Sequence, residues 1–322
     1  MKTNLIAGTS VRSRNTRAGK LLGLGALAAT GALVLTACGG GGDPMSTTAD
    51  AGASSSPDTI TVGSANFSES ELLATIYAEA LKAKGVKVKT RLNIGSRETY
   101  IPALQDGSID LLPEYTGALL QYFDPKTKAS TPDEVTAALK KALPAGISSL
   151  KASSAEDKDV LAVTQKTATA NSLSTISDLA PVAGSMALGA PPEWKTRVNG
   201  VVGLKDVYGL DFKKFVSLDA GGPLTLAAIT GNQVQVGDMT STDPAIAKNK
   251  LVVLKDDKNL FLAENILPVG NTKKLTPTVS STLDAVSAAL TTEELMVLNG
   301  KVAKLDDMSD VAKQWLKSEG LA

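Results

Sequence analysis

Apolar and polar positions follow two rhythms along this chain. Residues 59–64 (TITVGS) alternate with a period of two, the mark of a half-buried strand. Residues 69–84 then place Leu72, Leu73, Ile76, Ala80 and Leu81 on one helical face until Gly85 ends it. The same reading predicts a strand over 86–92, a short helix over 98–105 stopped by Gly107, and a strand over 109–112. Helices follow over 117–123 and 132–143. Farther on, strands are predicted at 159–164, 181–188 and 215–218, then a helix at 223–230 opened by Gly221 and Gly222. Strands at 234–236, 251–254 and 266–269 precede a helical tail of 279–290, 292–302 and 309–318. Strands alternating with helices imply an α/β architecture with mostly parallel sheets. There are too many βα units for one compact sheet, and the helical tail needs a surface to cover, so two lobes are expected.

The first 57 residues follow neither rhythm. Residues 1–37 carry Lys2, Arg12, Arg14, Arg17 and Lys20 and no acid, then an apolar run over 21–35. Cationic, apolar and small-residue segments in that order make a secretory signal, and the run is shorter than the about 20 residues that span a bilayer. Cys38, the only cysteine, ends Leu35-Thr36-Ala37-Cys38. That run closely resembles the bacterial lipobox, in which the cysteine becomes the lipidated first residue of the mature protein. Residues 39–57 are rich in Gly, Ser, Thr and Ala and read as a flexible tether above the membrane.

Charge and composition narrow the chemistry. Five of the 33 basic residues and none of the 33 acidic ones fall in the signal, so residues 38–322 carry a net charge of −5. That balance argues against non-specific nucleic-acid binding. With Cys38 lipidated no disulfide is left, and the fold must rest on its core. The chain has no histidine, which removes the Ser-His-Asp triad, the usual general base and most zinc sites. GxSxG, P-loop and strand-borne GxGxxG motifs are absent as well. Glu98 and Glu114 are the best pair of carboxylates, yet acids near helix starts commonly cap or face water. No catalysis, cofactor or metal is expected.

Four polar segments at strand–helix junctions suit ligand contact instead. In Ser64–Glu69, Asn66 or Ser68 is placed to cap the following helix, and Phe67 either packs inward or walls a site. In 112–117, Tyr115 offers a flat face and a hydroxyl beside Thr116. The hydroxyl-rich run 238–244 contains Thr240, Thr242 and Asp243, and also reads as a plain Asx or Ser/Thr turn. Glu264 lies in the fourth segment, 262–265, and Asp159 begins a strand between the halves. Ligands of open α/β sheets sit at such strand ends.

The segments NFSESELLATIYAEAL, NIGSRETYIPALQDGSIDLLPEYTGALL, LKDVYGLDF, TSTDPAI and LVVLKDDKNLFLAENILPV resemble the glycine betaine, choline and osmoprotectant-binding proteins of bacterial ABC importers. The resemblance spans residues 59–322 and is most specific at PEYTG and NFSE. It implies a two-lobed type II periplasmic-binding-protein fold with a ligand cleft between the lobes. Residues 58–161 and 265–322 would form the first lobe and 162–264 the second. The crossings would fall near 159–164 and 264–269, with the C-terminal helices packed on the first lobe. It also implies an extracytoplasmic, lipid-anchored, monomeric solute receptor that delivers a small ligand to a membrane permease.

In that family an aromatic cage surrounds the ligand's trimethylammonium group, each face contributing on the order of 0.5–2 kcal/mol. Two cage positions correspond here to Thr240 and Glu264, with Phe67 and Tyr115 near the others. Tyr208 aligns with a further family tyrosine. Two ligand readings stay open: Glu264 replaces π-faces with a formal charge and still holds a cation, or the ligand is a polyol, sugar or phenolic compound. A non-transport lipoprotein that kept the fold and an envelope enzyme are the rival classes.

Overall fold

A computed structural model describes residues 58–322. The signal segment, Cys38 and the tether lie outside the described residues. The first stretch contains β1 (Thr59–Gly63), α1 (Ser68–Ala83), β2 (Lys87–Arg91), α2 (Arg97–Gln105), β3 (Leu111–Tyr115), α3 (Thr116–Phe123), α4 (Pro132–Ala142) and β4 (Ile147–Ser149). The second contains β5 (Asp159–Thr164), α5 (Gln165–Asn171), β6 (Ala187–Ala190), α6 (Val201–Tyr208) and β7 (Lys214–Ser217). It continues with α7 (Pro223–Thr230), β8 (Val236–Thr240), α8 (Pro244–Lys248) and β9 (Leu251–Val253). The chain closes with β10 (Ile266–Asn271), α9 (Pro277–Ala289), α10 (Thr292–Val302) and α11 (Met308–Ser318).

Two five-stranded sheets result, in the orders β2-β1-β3-β10-β4 and β7-β6-β8-β5-β9. Strands made consecutively around helices pair in parallel: β1 with β2 and β3, and β6 with β7 and β8. The strands that change lobe run the other way. β10 lies antiparallel to β3, with Ile266 opposite Tyr115, and β5 lies antiparallel to β8, with Asp159 opposite Thr240.

Helix α1 explains where the first core sits. Leu72, Leu73, Ile76, Tyr77 and Leu81 are buried against β1 and against Leu283, Val286, Val311, Trp315 and Leu316 of the tail helices. Each fully buried leucine contributes about 1.5–3 kcal/mol. The second core gathers Leu161, Val163, Leu188, Trp194, Leu204, Val236 and Phe261. Where the apolar stripe is thin, capping compensates. Thr131 and Glu134 form a reciprocal capping box at α4, a contact worth about 1 kcal/mol.

Several elements differ from the pattern-based expectation. Asp159–Leu161, assigned in sequence to the first lobe, pair with Thr240, Met239 and Asp238, so their backbone belongs to the second sheet. The outward connection is therefore 150–158. It runs beside the return segment through Ser153 N–H to Ile266 O (2.8 Å) and Asp157 N–H to Glu264 O (3.2 Å). The expected strand 181–188 is confined to β6 because Ser177–Leu179 and Ala183–Ser185 coil into 3-10 turns. β8 extends to Thr240, well beyond residue 236.

Candidate functional site

The loops at the facing ends of the two sheets line a cleft that is open to solvent. The first lobe contributes Asn66, Phe67, Arg97, Tyr100 and Tyr115 to its lining. The second contributes Asp159, Glu193, Trp194, Arg197, Asp238 and Thr240, and the connecting segments contribute Asp157 and Glu264.

On the first lobe, the β1–α1 loop delivers Phe67. Its extended backbone makes it the N-cap of α1 without a side-chain cap, so neither Asn66 nor Ser68 plays that part. Instead Ser70 Oγ accepts the Ala65 N–H at 2.9 Å. Asn66 stands exposed at the rim, Ser68 is exposed and outside the lining, and the Phe67 ring lies 6.0 Å from Tyr115 at 34°. The Tyr115 hydroxyl donates to Glu69 Oε1 at 2.7 Å.

Glu69 is more than a helix-start acid. Its Oε2 accepts from Thr242 Oγ1 and from Asn299 Nδ2, both at 2.6 Å, and so joins α1, the loop after β8, and α10. Glu114 is likewise fully engaged. Arg97 forks onto it at 3.0 and 2.8 Å, the Tyr100 hydroxyl donates at 2.7 Å and the Tyr115 N–H at 3.0 Å. A carboxylate with four donors is a positioning group for β3, not a free acid.

The return segment meets the start of α3. Thr116 Oγ1 donates to Ala263 O (2.8 Å) and accepts the Asn265 N–H (3.0 Å), which makes it a stitch between strands. Glu264 Oε2 accepts the Gly117 and Ala118 N–H groups at 3.1 and 3.0 Å. This close approach requires glycine at 117, where a Cβ would stand 2.6 Å from Leu262 Cβ and 2.7 Å from Ala263 O. Burial dominates the Glu264 carboxyl and pushes it up to about 8, although the Ala118 N–H and Arg97 favour its charge.

Two more carboxyls face the cleft from the second sheet. Asp159 Oδ2 accepts Asn199 Nδ2 at 3.1 Å, and burial, only partly offset by Arg197 and Arg97, raises its pKa. Asp238 is 3% exposed, and its Oδ1 is buried with no hydrogen-bond partner among the described residues. Burial first, and then the charge of Asp159, raise it well above the usual carboxylate range. Asp157 accepts from Ser241 Oγ (3.0 Å) and the Thr242 N–H (2.9 Å), and is raised by burial and by neighbouring Glu69.

The two cleft arginines are both committed. Arg97 holds Glu114, and Arg197 forks onto Glu98 of the opposite lobe at 3.0 and 2.8 Å. Burial opposes the Glu98 charge, but hydrogen bonds from Arg197 and Ser96 bring it down to about 2. The cleft therefore presents an excess of carboxyls together with the aromatic side chains of Phe67, Tyr100, Tyr115 and Trp194.

Of the residues singled out in sequence, Asn66, Phe67, Tyr115, Asp159, Thr240 and Glu264 come together in this cleft. Thr116 and Thr242 are buried in the stitches described above, and Asp243 caps α8 by accepting the Ala245 N–H at 2.7 Å. Tyr208 packs in the second core, where its hydroxyl bonds to Asp256. Arg97, Tyr100, Asp157, Trp194 and Arg197 escaped the sequence reading, and Asp238 lay within the candidate run 238–244 without being singled out. The usable signal was the PPEWK run, which holds one of only two tryptophans.

Comparison with known proteins places this geometry. The family "Substrate binding domain of ABC-type glycine betaine transport system" matches residues 58–318. The carnitine transport binding protein OpuCC of Listeria monocytogenes is 29% identical over 271 residues, covering 82% of this chain and 87% of the relative. A glycine-betaine-binding protein of Pseudomonas aeruginosa is 28% identical over 262 residues, with 76% and 82% covered. A crystal structure of a glycine betaine/carnitine/choline ABC transporter superposes with a TM-score of 0.64 at 24% identity, covering 81% of this chain and 99% of that one, a likeness of fold. With its two sheets, its paired connecting segments and its interlobe cleft, the chain belongs to the family of substrate-binding domains of ABC-type glycine betaine transport systems.

Proposed function

We propose that this protein is the extracytoplasmic solute receptor of an ABC importer and captures a small organic cation or zwitterion of the glycine betaine, choline and carnitine class. The observation that carries this reading is the excess of carboxyl groups in the cleft, which a cation draws into their charged form. Asp159, Asp238 and Glu264 converge there, while Arg97 and Arg197 are already forked onto Glu114 and Glu98. A cation entering this carboxyl-lined cleft gains Coulombic attraction from the carboxyls as they ionise and cation–π attraction from Phe67 and Tyr115. Glu264, at a position where the family has an aromatic, supplies a carboxyl that a bound cation draws into its ionised form, in place of a π-face. Capture makes and breaks no covalent bond. Ligand contacts from both lobes favour the closed arrangement, the segments 150–158 and 254–265 act as the hinge, and a permease reads the closed state.

The reading extends to the N-terminus, where Cys38 carries the lipid anchor and the tether lets a monomeric receptor work close to its transporter. Replacing Cys38 by Ala is expected to release the protein from the membrane fraction or leave its signal uncleaved; unchanged membrane association refutes the anchor.

Because burial raises the pKa of these carboxyls, the cleft also suits a second ligand type: a carboxyl that keeps its proton donates hydrogen bonds to polyols, sugars or phenols. Calorimetric and thermal-shift screening separates the two. Organic cations and zwitterions are expected to bind and raise the melting temperature while neutral polyols and phenolics do not. Binding confined to the neutral compounds overturns the cation reading.

A further inference from the structure

We propose that the edge of the first sheet around β2 is a membrane-docking face, which rests the anchored receptor on anionic lipid headgroups. The inference goes beyond solute capture. It rests on the anchor at Cys38 proposed above and adds which face of the protein meets the bilayer. Residues 82–91 (KAKGVKVKTR) carry five basic side chains and no acid, in a chain whose residues 38–322 are net −5. All five are exposed. Val86 and Val88 turn inward onto the first core, so Lys87, Lys89 and Arg91, at alternate positions of the strand, share the outward face. β2 is the outermost strand of its sheet and pairs only with β1, and Lys84 ends the helix α1 packed beside it.

The protein itself uses little of this charge. Glu79 takes up Lys82 at 2.8 Å and Asp106 partly offsets Arg91, while Lys84, Lys87 and Lys89 have no ion-pair partner among the described residues. Lysines on an edge strand deter foreign strands, and a lysine at a helix end suits its dipole. Neither role asks for five cations to lie together beside the chain's point of attachment. That position supplies the partner. Thr59, the first residue of β1, lies opposite Lys87, so the chain enters the fold one strand away from the basic edge. Residues 39–57 separate Cys38 from Asp58, and a Gly/Ser-rich coil of that length has a root-mean-square span of about 24 Å. The edge is thus within reach of the headgroups, and each lysine brought to an anionic surface favours contact by about fivefold. The acidic remainder of the protein is repelled by the same surface, which turns this edge toward it.

The test uses the full lipidated chain with Ala83→Cys, an exposed position whose thiol is the only one open to a fluorophore once Cys38 carries lipid. It is reconstituted into vesicles of phosphatidylcholine alone or with about one-third phosphatidylglycerol. Energy transfer from the label to a headgroup acceptor is expected to be at least about twofold higher on the anionic vesicles at about 0.1 M salt. It is expected to fall to the neutral-vesicle level at about 1 M salt, where screening confines the field to about 3 Å. Replacing Lys84, Lys87 and Lys89 together by Gln is expected to bring the same fall at low salt, since three lysines shift the docked-to-free ratio by about a hundredfold. Equal transfer on both kinds of vesicle overturns the inference and leaves the anchor standing. An undiminished lipid dependence in the triple variant removes these lysines as the contact. If the triple variant loses solute uptake in cells while its transfer is unchanged, the patch faces the permease and the membrane reading falls. A chain that stays with neither kind of vesicle overturns the anchor, and this inference with it.

Discussion

Replacing Glu264 by Gln separates the electrostatics of the cleft from its shape, since the amide keeps the volume and one acceptor for the N–H groups at the start of α3. The folded chain holds the Glu264 proton up to about pH 8, against an ordinary carboxylate value of 4.5. With the folded pKa raised, the folded state binds more protons than the unfolded one throughout this window. The contribution to stability is then full below about pH 4.5 and lost as pH rises toward about 8. At 1.36 kcal/mol per pKa unit, the loss between pH 5 and pH 8 is about 3 kcal/mol. Denaturant titrations at fixed temperature across that range are expected to show the wild type losing about 3 kcal/mol more than Glu264→Gln. Cation binding carries the opposite signature. A bound cation favours the ionised carboxyl, so affinity in the wild type rises toward pH 8 as protons are released, and rises less steeply in the variant. Coincident stability curves for the two proteins would refute the assignment of this proton to Glu264.

Three further substitutions probe the scaffold. Arg97→Met strands the buried Glu114 and is expected to cost about 3–5 kcal/mol by chemical denaturation, with partial recovery when Glu114 is also replaced by Leu; an unchanged midpoint refutes the pairing. Thr242→Val removes the hydroxyl that ties Glu69 and Asn299 across the lobes and is expected to cost about 1–3 kcal/mol, read from the same titration. Gly117→Ala drives a methyl into the Ala263 carbonyl and Leu262, costing about 1–3 kcal/mol and weakening ligand binding through displaced Glu264; full stability with normal binding counts against that close approach.

Much of the frame was legible in the sequence because local pattern and burial agree there. β1, α1, α4 and the tail helices lie within a residue or two of their predicted bounds, each with a clear apolar stripe or cap. The misses have local causes. α6 has no counterpart in the pattern-based reading, and Gly203 in its interior weakens the helical signal. Yet Gly203 is needed in the helix because a Cβ would meet Val198 O at 1.9 Å. β4 is a three-residue strand paired only with a segment from the far end of the chain, which no local window sees. Asp238 opens the candidate run 238–244 but was not singled out in it, because the run reads as a strand end or turn, while in the fold Gly237 and Asp238 are both buried within β8. Glu69 illustrates the same limit for the site. A first-turn acid suggests a solvated helix start, and only the packing of the opposite lobe and α10 shows it as a three-way tie.

The sheet order has a consequence for how the chain becomes structured as it is made and exported. The second lobe's five strands lie in one continuous stretch, 159–253, and pair only with each other. The first sheet is different, because β10 sits between β3 and β4 and arrives after the whole second lobe. Until residue 271 has emerged, β3 has one bare flank and β4 has no neighbour within the sheet. Open strand edges invite pairing with foreign chains. The half-made protein is thus most vulnerable along β3, the strand that the finished one buries at every residue.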